Sequence, residues 1–254
     1  MEVRRIRLVR TGFPENGALD TAVSRALLQR AGRGEIGETF RLHVPGRVVA
    51  FGKHDTLMDG FPEAASAATA AGFLPIERIA GGRAAVFHEG TLAFSWTIPD
   101  PDPVPGIHQR FSVVADLMVR AFARLGIESE VGEVPGEYCP GRYSINLGGL
   151  RKVVGVGQRL GRAAAHIGGV VVISDGDTVR DVLIPVYEAL GLMWVPTTAG
   201  ALTDAAPAIT VAAVADAILA ELGTIGKTAE SRLEPETVAL ARTLVADHRV
   251  AVPT

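Results

Sequence analysis

The chain has 254 residues, is 48% hydrophobic and carries a formal charge of −3. That bounds it to one sizeable domain, or a domain with a small appendage, able to bury a core without a disulfide or metal staple. The small net charge and the lack of a long Lys/Arg run disfavour a general nucleic-acid or membrane-surface role, while net charge leaves open a local basic patch on which a small acidic carrier or acceptor protein docks. The single cysteine excludes an internal disulfide and the paired-cysteine zinc patterns.

Residues 1–11 alternate apolar and charged positions, with Val3, Ile6 and Leu8 on one face of an expected strand. They lack the apolar core of a signal peptide, and no segment approaches the ~20 apolar residues of a membrane span. A cytoplasmic location is expected. Residues 17–30 predict a helix through Leu19, Val23, Ala26 and Leu27. Strands are expected over 39–44 and 47–51, around the turn Pro45-Gly46. An Ala-rich helix over 61–71 should stop at Gly72. Short strands come next over 74–78, 84–87 and 91–96, then a loop over 99–106 punctuated by Pro99, Pro101, Pro103 and Pro105.

Phe111, Val114, Met118, Phe122 and Leu125 recur at helical spacing and predict an amphipathic helix over 108–125, stopped by Gly126. Strands are expected over 144–147, 152–156 and 167–173, a helix over 177–190, and a loop over 194–207. Two more helices close the chain. One carries Val211, Val214, Ile218 and Leu222; the other starts near Pro235 with Val238, Ala241 and Val245. Strands and helices do not alternate regularly, so the expected class is α+β, a mixed sheet with helices packed on it. Residues 1–204 are expected to form the catalytic unit and 205–254 a helical extension of the same domain.

Three motifs fail on inspection. The segment ending Gly226-Lys227-Thr228 has Glu221 where a phosphate loop needs glycine, so Gly223 is expected to cap a helix. Gly155-Val156-Gly157 is followed by Leu160 at the third glycine position of a dinucleotide fingerprint. His88-Glu89 lacks the second histidine of a zinc helix, and the histidines show no ligand spacing, so no metal is expected.

Three other segments carry chemistry. In the first, Arg78 and His88 flank Gly81-Gly82-Arg83, whose glycines permit a tight turn with outward backbone N–H groups that a thioester or acyl-phosphate oxygen can approach. A plain β-hairpin explains the glycines equally well. In the second, Gly136-Glu-Tyr-Cys139-Pro-Gly141, the Pro-Gly pair suits the centre of a type II turn. It should leave Cys139 extended at the mouth of a loop, exposed rather than buried. A lone cysteine is more often inert and buried. In the third, Arg151-Lys152-Val-Val-Gly155-Val156-Gly157-Gln158, Lys152 opens a short strand ending in a Gly-x-Gly turn. Its ammonium, turned into a cleft, would stabilise a thiolate and polarise an acyl carbonyl; turned outward it would be an ordinary edge-strand lysine.

Together the three segments resemble the lipoate–protein ligase and octanoyltransferase superfamily, which is related to biotin–protein ligases. Arg78-x-x-Gly81-Gly82 with His88 is similar to its arginine–glycine–histidine motif. Arg151-Lys152-x-x-Gly155-x-x-Gln158 is similar to its lysine motif, and His166-x-Gly168 to the segment after it. The resemblance covers about residues 19–202. It implies Cys139 and Lys152 as catalytic residues, and Arg78, Gly81, Gly82, Arg83, His88, Gly155, Val156, Gly157, Gln158 and His166 as substrate-binding residues. Tyr138-Cys139-Pro140-Gly141 resembles most the branch that moves octanoyl groups from the glycine-cleavage H protein.

The resemblance implies acyl transfer through a Cys139 thioester. The donor would be an acyl carrier protein or octanoylated H protein and the acceptor a lipoyl-domain lysine, with no metal, ATP or other cofactor and with the chain a monomer. ATP-dependent lipoate ligation and silent acyl binding are the alternatives. No accessory domain of the kind many bacterial ligases carry is expected, which favours the transferase. Three departures stand out: Arg83 for a third glycine, which should recharge the turn; Leu150 for glycine before Arg-Lys; and Val156-Gly157 for a small Ser-Ala pair. The last two bear on the expected acyl pocket, whose walls should come from 84–87, Val153, Val156 and 170–172.

Overall fold

The computed structural model describes residues 4–251; the expected strand residue Val3 lies outside them. The elements run β1 (Arg5–Val9), α1 (Gly17–Gly32), β2 (Thr39–His43), β3 (Val48–Phe51), α2 (Phe61–Ala70), β4 (Leu74–Glu77), β5 (Ala85–Phe87) and β6 (Thr91–Pro99). Then come α3 (Ile107–Arg124), β7 (Glu130–Val131), β8 (Ile145–Leu147), β9 (Arg151–Leu160), β10 (Ala164–Val172), α4 (Gly176–Ala189), α5 (Val211–Ile225), β11 (Lys227–Glu230) and α6 (Pro235–Leu244). One sheet has the order β11-β1-β2-β6-β10-β9-β8-β7 and a second the order β4-β3-β5. Parallel and antiparallel pairs occur in both. The fold is α+β, as the irregular element order predicts.

Local chemistry sets the helix starts. The Asn16 side chain accepts the Leu19 N–H at 3.1 Å to open α1, and Thr210 accepts that of Ala213 at 3.2 Å to open α5. Gly72, at φ +81°, comes after α2 as expected.

Alternation along the strands decides where a cavity can form. Phe40 and Leu42 of β2, Leu92 and Trp96 of β6, and Ile167 and Val171 of β10 enter one core with α3 and α5. The intervening Arg41, His43, Ala93, Ser95, His166 and Val170 line a cavity on the opposite face. That cavity is closed by α1 and by the small sheet, through Val48, Ala50, Ile76, Ala85 and Phe87. The expected pocket wall is corrected in part by this alternation and, at Val172, which shares the face of Val170, by the second core that covers it. Val153, Val171 and Val172 are fully buried in the cores instead, and Ala84 and Val86 pack with α2 and α4.

Three other expectations change. Gly155 and Gly157 are not a turn. They lie inside β9, paired with Val170 and Gly168 of β10. A β-carbon on the facing Gly169 would come within 1.8 Å of the Gly155 carbonyl oxygen, so glycine marks close strand approach here. Gly223 lies within α5, which is closed at Gly226. Beyond it β11 pairs in parallel with β1, so residues 205–254 contribute a strand to the large sheet as well as helices. No apolar alternation announces β11; its partner strand supplies the reason for it. No helix among the described residues is long and apolar enough to cross a membrane.

Candidate active site

Cys139 sits where the glycine loop, the 134–144 loop and β9 meet, on the wall of a cavity of about 400 Å³. Its backbone is left-handed, φ +44°, not extended, and its side chain is half-buried. The expected Pro140-Gly141 turn is displaced: the Ser144 N–H donates to the Gly141 carbonyl at 2.9 Å, which centres the turn on Arg142 and Tyr143. A non-glycine residue in this region stores strain unless its surroundings hold it. Here they do. The Cys139 N–H donates to the Tyr187 hydroxyl at 2.9 Å, and that hydroxyl donates to the Ala84 carbonyl at 3.0 Å. Lys152 Nζ donates to the carbonyls of Tyr138 at 3.0 Å and Cys139 at 2.6 Å.

The Cys139 sulfur faces two donors. Arg78 Nη2 lies 3.3 Å from Sγ and the Arg83 backbone N–H 3.2 Å from it. Gly82 makes this approach possible. Its φ is +105°, and a β-carbon there would fall 2.1 Å from Arg78 Nη2 and 2.8 Å from Sγ. Burial pushes the thiol pKa up. The Arg78 charge, the Lys152 charge, the Arg78 hydrogen bond and the Arg83 N–H outweigh it and hold the thiol below its ordinary value. Removing the first of these charges, in Arg78→Met, is expected to move the pH midpoint of iodoacetamide alkylation upward and slow the reaction at neutral pH. An unshifted profile would show that Arg78 does not tune the sulfur.

Lys152 is turned inward, but its ammonium is not free. It is 1% exposed, and besides the two carbonyls it pairs with Glu137 Oε1 at 2.9 Å. An ammonium has three donors, and all three are engaged. Glu137 also accepts from the N–H groups of Val134 and Gly141, at 3.0 and 2.9 Å, and from the Ser144 hydroxyl at 2.6 Å. This buried carboxylate ties the cysteine loop together. Sequence reasoning missed it, because a glutamate between Gly136 and Tyr138 reads as a solvated loop residue.

The other expected residues divide. Arg78, Gly81, Gly82, Gly155, Val156, Gly157, Gln158 and His166 line the cavity. Gln158 also accepts from Arg110 Nε at 2.7 Å and donates to the Ile107 carbonyl at 3.1 Å, fixing the start of α3. His166 is pushed down to about 4 by burial and then by the Arg41 charge, so it is neutral at pH 7. The Arg83 side chain leaves the glycine turn to pair with the buried Asp55 at 3.0 Å. His88 is not brought to the cavity wall. It is buried at the β5–β6 turn, where its Nδ1 accepts the Gly90 N–H at 3.0 Å. Leu150 is 72% exposed on the β8–β9 turn and does not shape the cavity.

Sequence reasoning also missed Asp20, Arg41 and His43, which line the cavity together. Arg41 pairs with Asp20, whose second oxygen takes His43 Nε2 at 2.8 Å. Burial raises the Asp20 pKa, but its hydrogen bond to His43 and the Arg41 charge bring it down to about 2.

Residues 16–223 match the model of the lipoyl protein ligase A/B catalytic domain. The chain belongs to that family. An octanoyl-[GcvH]:protein N-octanoyltransferase from Geobacillus kaustophilus is 30% identical over 67% of this chain and 60% of its own length. The chain therefore spans about three-fifths of that curated relative. Among solved structures, a lipoate-protein ligase A bound with ATP superposes with a TM-score of 0.77 at 18% identity, covering 96% of this chain and 95% of the other. A bi-partite lipoate protein ligase studied with its E2 lipoyl domain, from Thermoplasma acidophilum, gives 0.73 at 18% identity, covering 95% and 92%. At these identities the two structures establish the fold. Within the lipoyl ligase family fold, the large sheet supplies one wall of the cavity and the small sheet the other, with the cysteine loop at their junction.

Proposed function

We propose that this chain is an acyltransferase that moves an octanoyl or lipoyl group from a lysine of the glycine-cleavage H protein to a lysine of a lipoate-dependent protein, through a thioester on Cys139. The observation that carries it is the sulfur's environment: a thiol held on a strained loop, with the Arg78 guanidinium and the Arg83 N–H both aimed at Sγ. The name of the Geobacillus relative supports the H protein as donor in preference to an acyl carrier protein. The E2 lipoyl domain studied with the Thermoplasma ligase supports the acceptor class.

In the first half-reaction the Cys139 thiolate attacks the amide carbonyl of the acyl-lysine. The C–S bond forms, the C–N bond breaks, and the donor lysine leaves as an amine that takes up a proton. In the second, the acceptor lysine amine attacks the thioester, releases the thiolate and gives up a proton, so protons balance over the cycle. Donor and product are both amides, so the exchange is near thermoneutral and needs no nucleotide. The sequence suggests Lys152 as the group that polarises the carbonyl, but its donors are engaged. Arg78 and the Arg83 N–H, both donating toward Sγ, stabilise the thiolate before attack, and on this reading they turn to the neighbouring carbonyl oxygen as the C–S bond forms. Lys152 instead supplies charge and holds the loop. The cavity of about 400 Å³ lies in the ordinary range for small-molecule sites, roughly 300–1,000 Å³, and takes the acyl chain along Ala50, Ile76, Ala93 and Val170. On this reading the chain works in the cytoplasm as a monomer.

Intact-mass analysis after incubation with octanoylated H protein tests it. The expected product is one octanoyl adduct on Cys139, removed by neutral hydroxylamine. ATP-dependent attachment of free octanoate or lipoate, with no adduct from octanoylated H protein, would replace the transferase by a ligase.

A further inference from the structure

A second, larger recess of about 810 Å³ adjoins the reaction cavity, and the two share Arg78, Ile79, Ala80 and Gly81 as a common wall. Its lining is strongly cationic. Arg25, Arg33, Lys53, Arg78, Arg159 and Arg162 face it, against one lining carboxylate, Glu77. The chain as a whole carries −3, so these cations are concentrated here against its overall balance. Lys53 pairs with Glu77 at 3.1 Å, Arg25 with Asp247 at 2.9 Å and Arg33 with Glu35 at 3.7 Å. Arg159 and Arg162 are exposed and make no ion pair among the described residues. They project from the β9–β10 hairpin, while Arg25 and Arg33 come from the C-terminal half of α1 and its end. Charges spread over separate elements match a protein face with dispersed carboxylates better than one compact phosphate group.

We propose that this recess is the docking surface for a carboxylate-rich face of the acyl-carrying protein domain, which presents its acyl-lysine across the Arg78–Gly81 wall to Cys139. The proposal rests on the transferase reading above and adds to it where the protein substrate is held. Arg78 then belongs to both sites: its guanidinium reaches Sγ at 3.3 Å from the wall that the partner covers.

The test is a binding titration of octanoylated H protein into the full chain by fluorescence anisotropy, at low and high salt. The variants are Arg159→Glu/Arg162→Glu and the milder Arg159→Gln/Arg162→Gln. Wild-type affinity should fall as salt rises. The reversal should weaken binding by about tenfold or more, the neutral pair by less, and the salt dependence should shrink in both. Iodoacetamide alkylation of Cys139 should be unchanged in both variants, which reports an intact site. No measurable wild-type binding, or equal affinity in all three proteins, overturns the proposal. So does ATP binding that the reversal abolishes while H-protein affinity persists. The two readings separate cleanly: a Cys139 adduct with unaltered variant affinity defeats the docking surface alone, and charge-dependent binding without an adduct defeats the thioester alone.

Discussion

Cys139→Ala is expected to abolish acyl transfer, with a loss on the order of 10⁴-fold or more, comparable to removing a covalent nucleophile elsewhere. The variant should form no hydroxylamine-labile adduct with octanoylated H protein. The reason is positional. Among the described residues this is the only cysteine, and its sulfur is the atom to which Arg78 Nη2 and the Arg83 N–H converge. Alanine keeps the β-carbon and leaves the grip of Tyr187 and Lys152 on the backbone intact, so the fold should persist and the loss should be chemical. Transfer that continues in this variant at near wild-type rate would rule out the thioester, whatever else the cavity binds.

Lys152→Ala is expected to cost both stability and activity. The Lys152–Glu137 pair is almost wholly enclosed, with side chains 1% and 0% exposed. Removing one partner leaves the other charge buried, a cost of about 3–5 kcal/mol. For a domain of this size that lowers the melting temperature by roughly 10 °C. The loss also frees the Tyr138 and Cys139 carbonyls, so the left-handed Cys139 conformation loses its main tether. With the ammonium gone, the thiol pKa should rise and alkylation at neutral pH should slow. The double variant Lys152→Met/Glu137→Gln removes both charges and should recover the part of the stability lost to the unpaired carboxylate, while the Tyr138 and Cys139 carbonyls stay unpaired and alkylation stays slow. A Lys152→Ala protein that melts like wild type would mean that Glu137 finds water or another partner, and that the loop does not depend on the pair.

Much of the architecture was legible in the sequence because it arises from local periodicity. The stripe Phe111–Val114–Met118–Phe122 can bury only one face, and α3 packs that face on the large sheet. Glycines and prolines marked most boundaries for similarly local reasons. The three chemical segments were legible for another reason: Gly82 must be glycine if anything is to approach it closely, and a lone cysteine beside Pro-Gly is an unusual place for inert packing. The acyltransferase resemblance rested on those positions, and the family match covers them.

Tertiary structure decided the rest. Whether a charged side chain is solvated or enclosed depends on what packs over it, and no spacing rule reports that. Glu137 looked like a loop residue and is a buried hub; Lys152 looked like a free ammonium and has every donor engaged. His88 stood in the motif but turns to its own hairpin, since local hydrogen bonding to Gly90 claims it. Asp20, Arg41 and His43 are separated by about one helix in sequence, and only the packing of α1 on the large sheet makes them one cavity wall. By itself the sequence determined most of the elements and the class, because backbone propensity and steric need act over a few residues. The direction each functional side chain takes, and the charge it keeps, arise from contacts between residues far apart in the chain, and those exist only once the chain has folded.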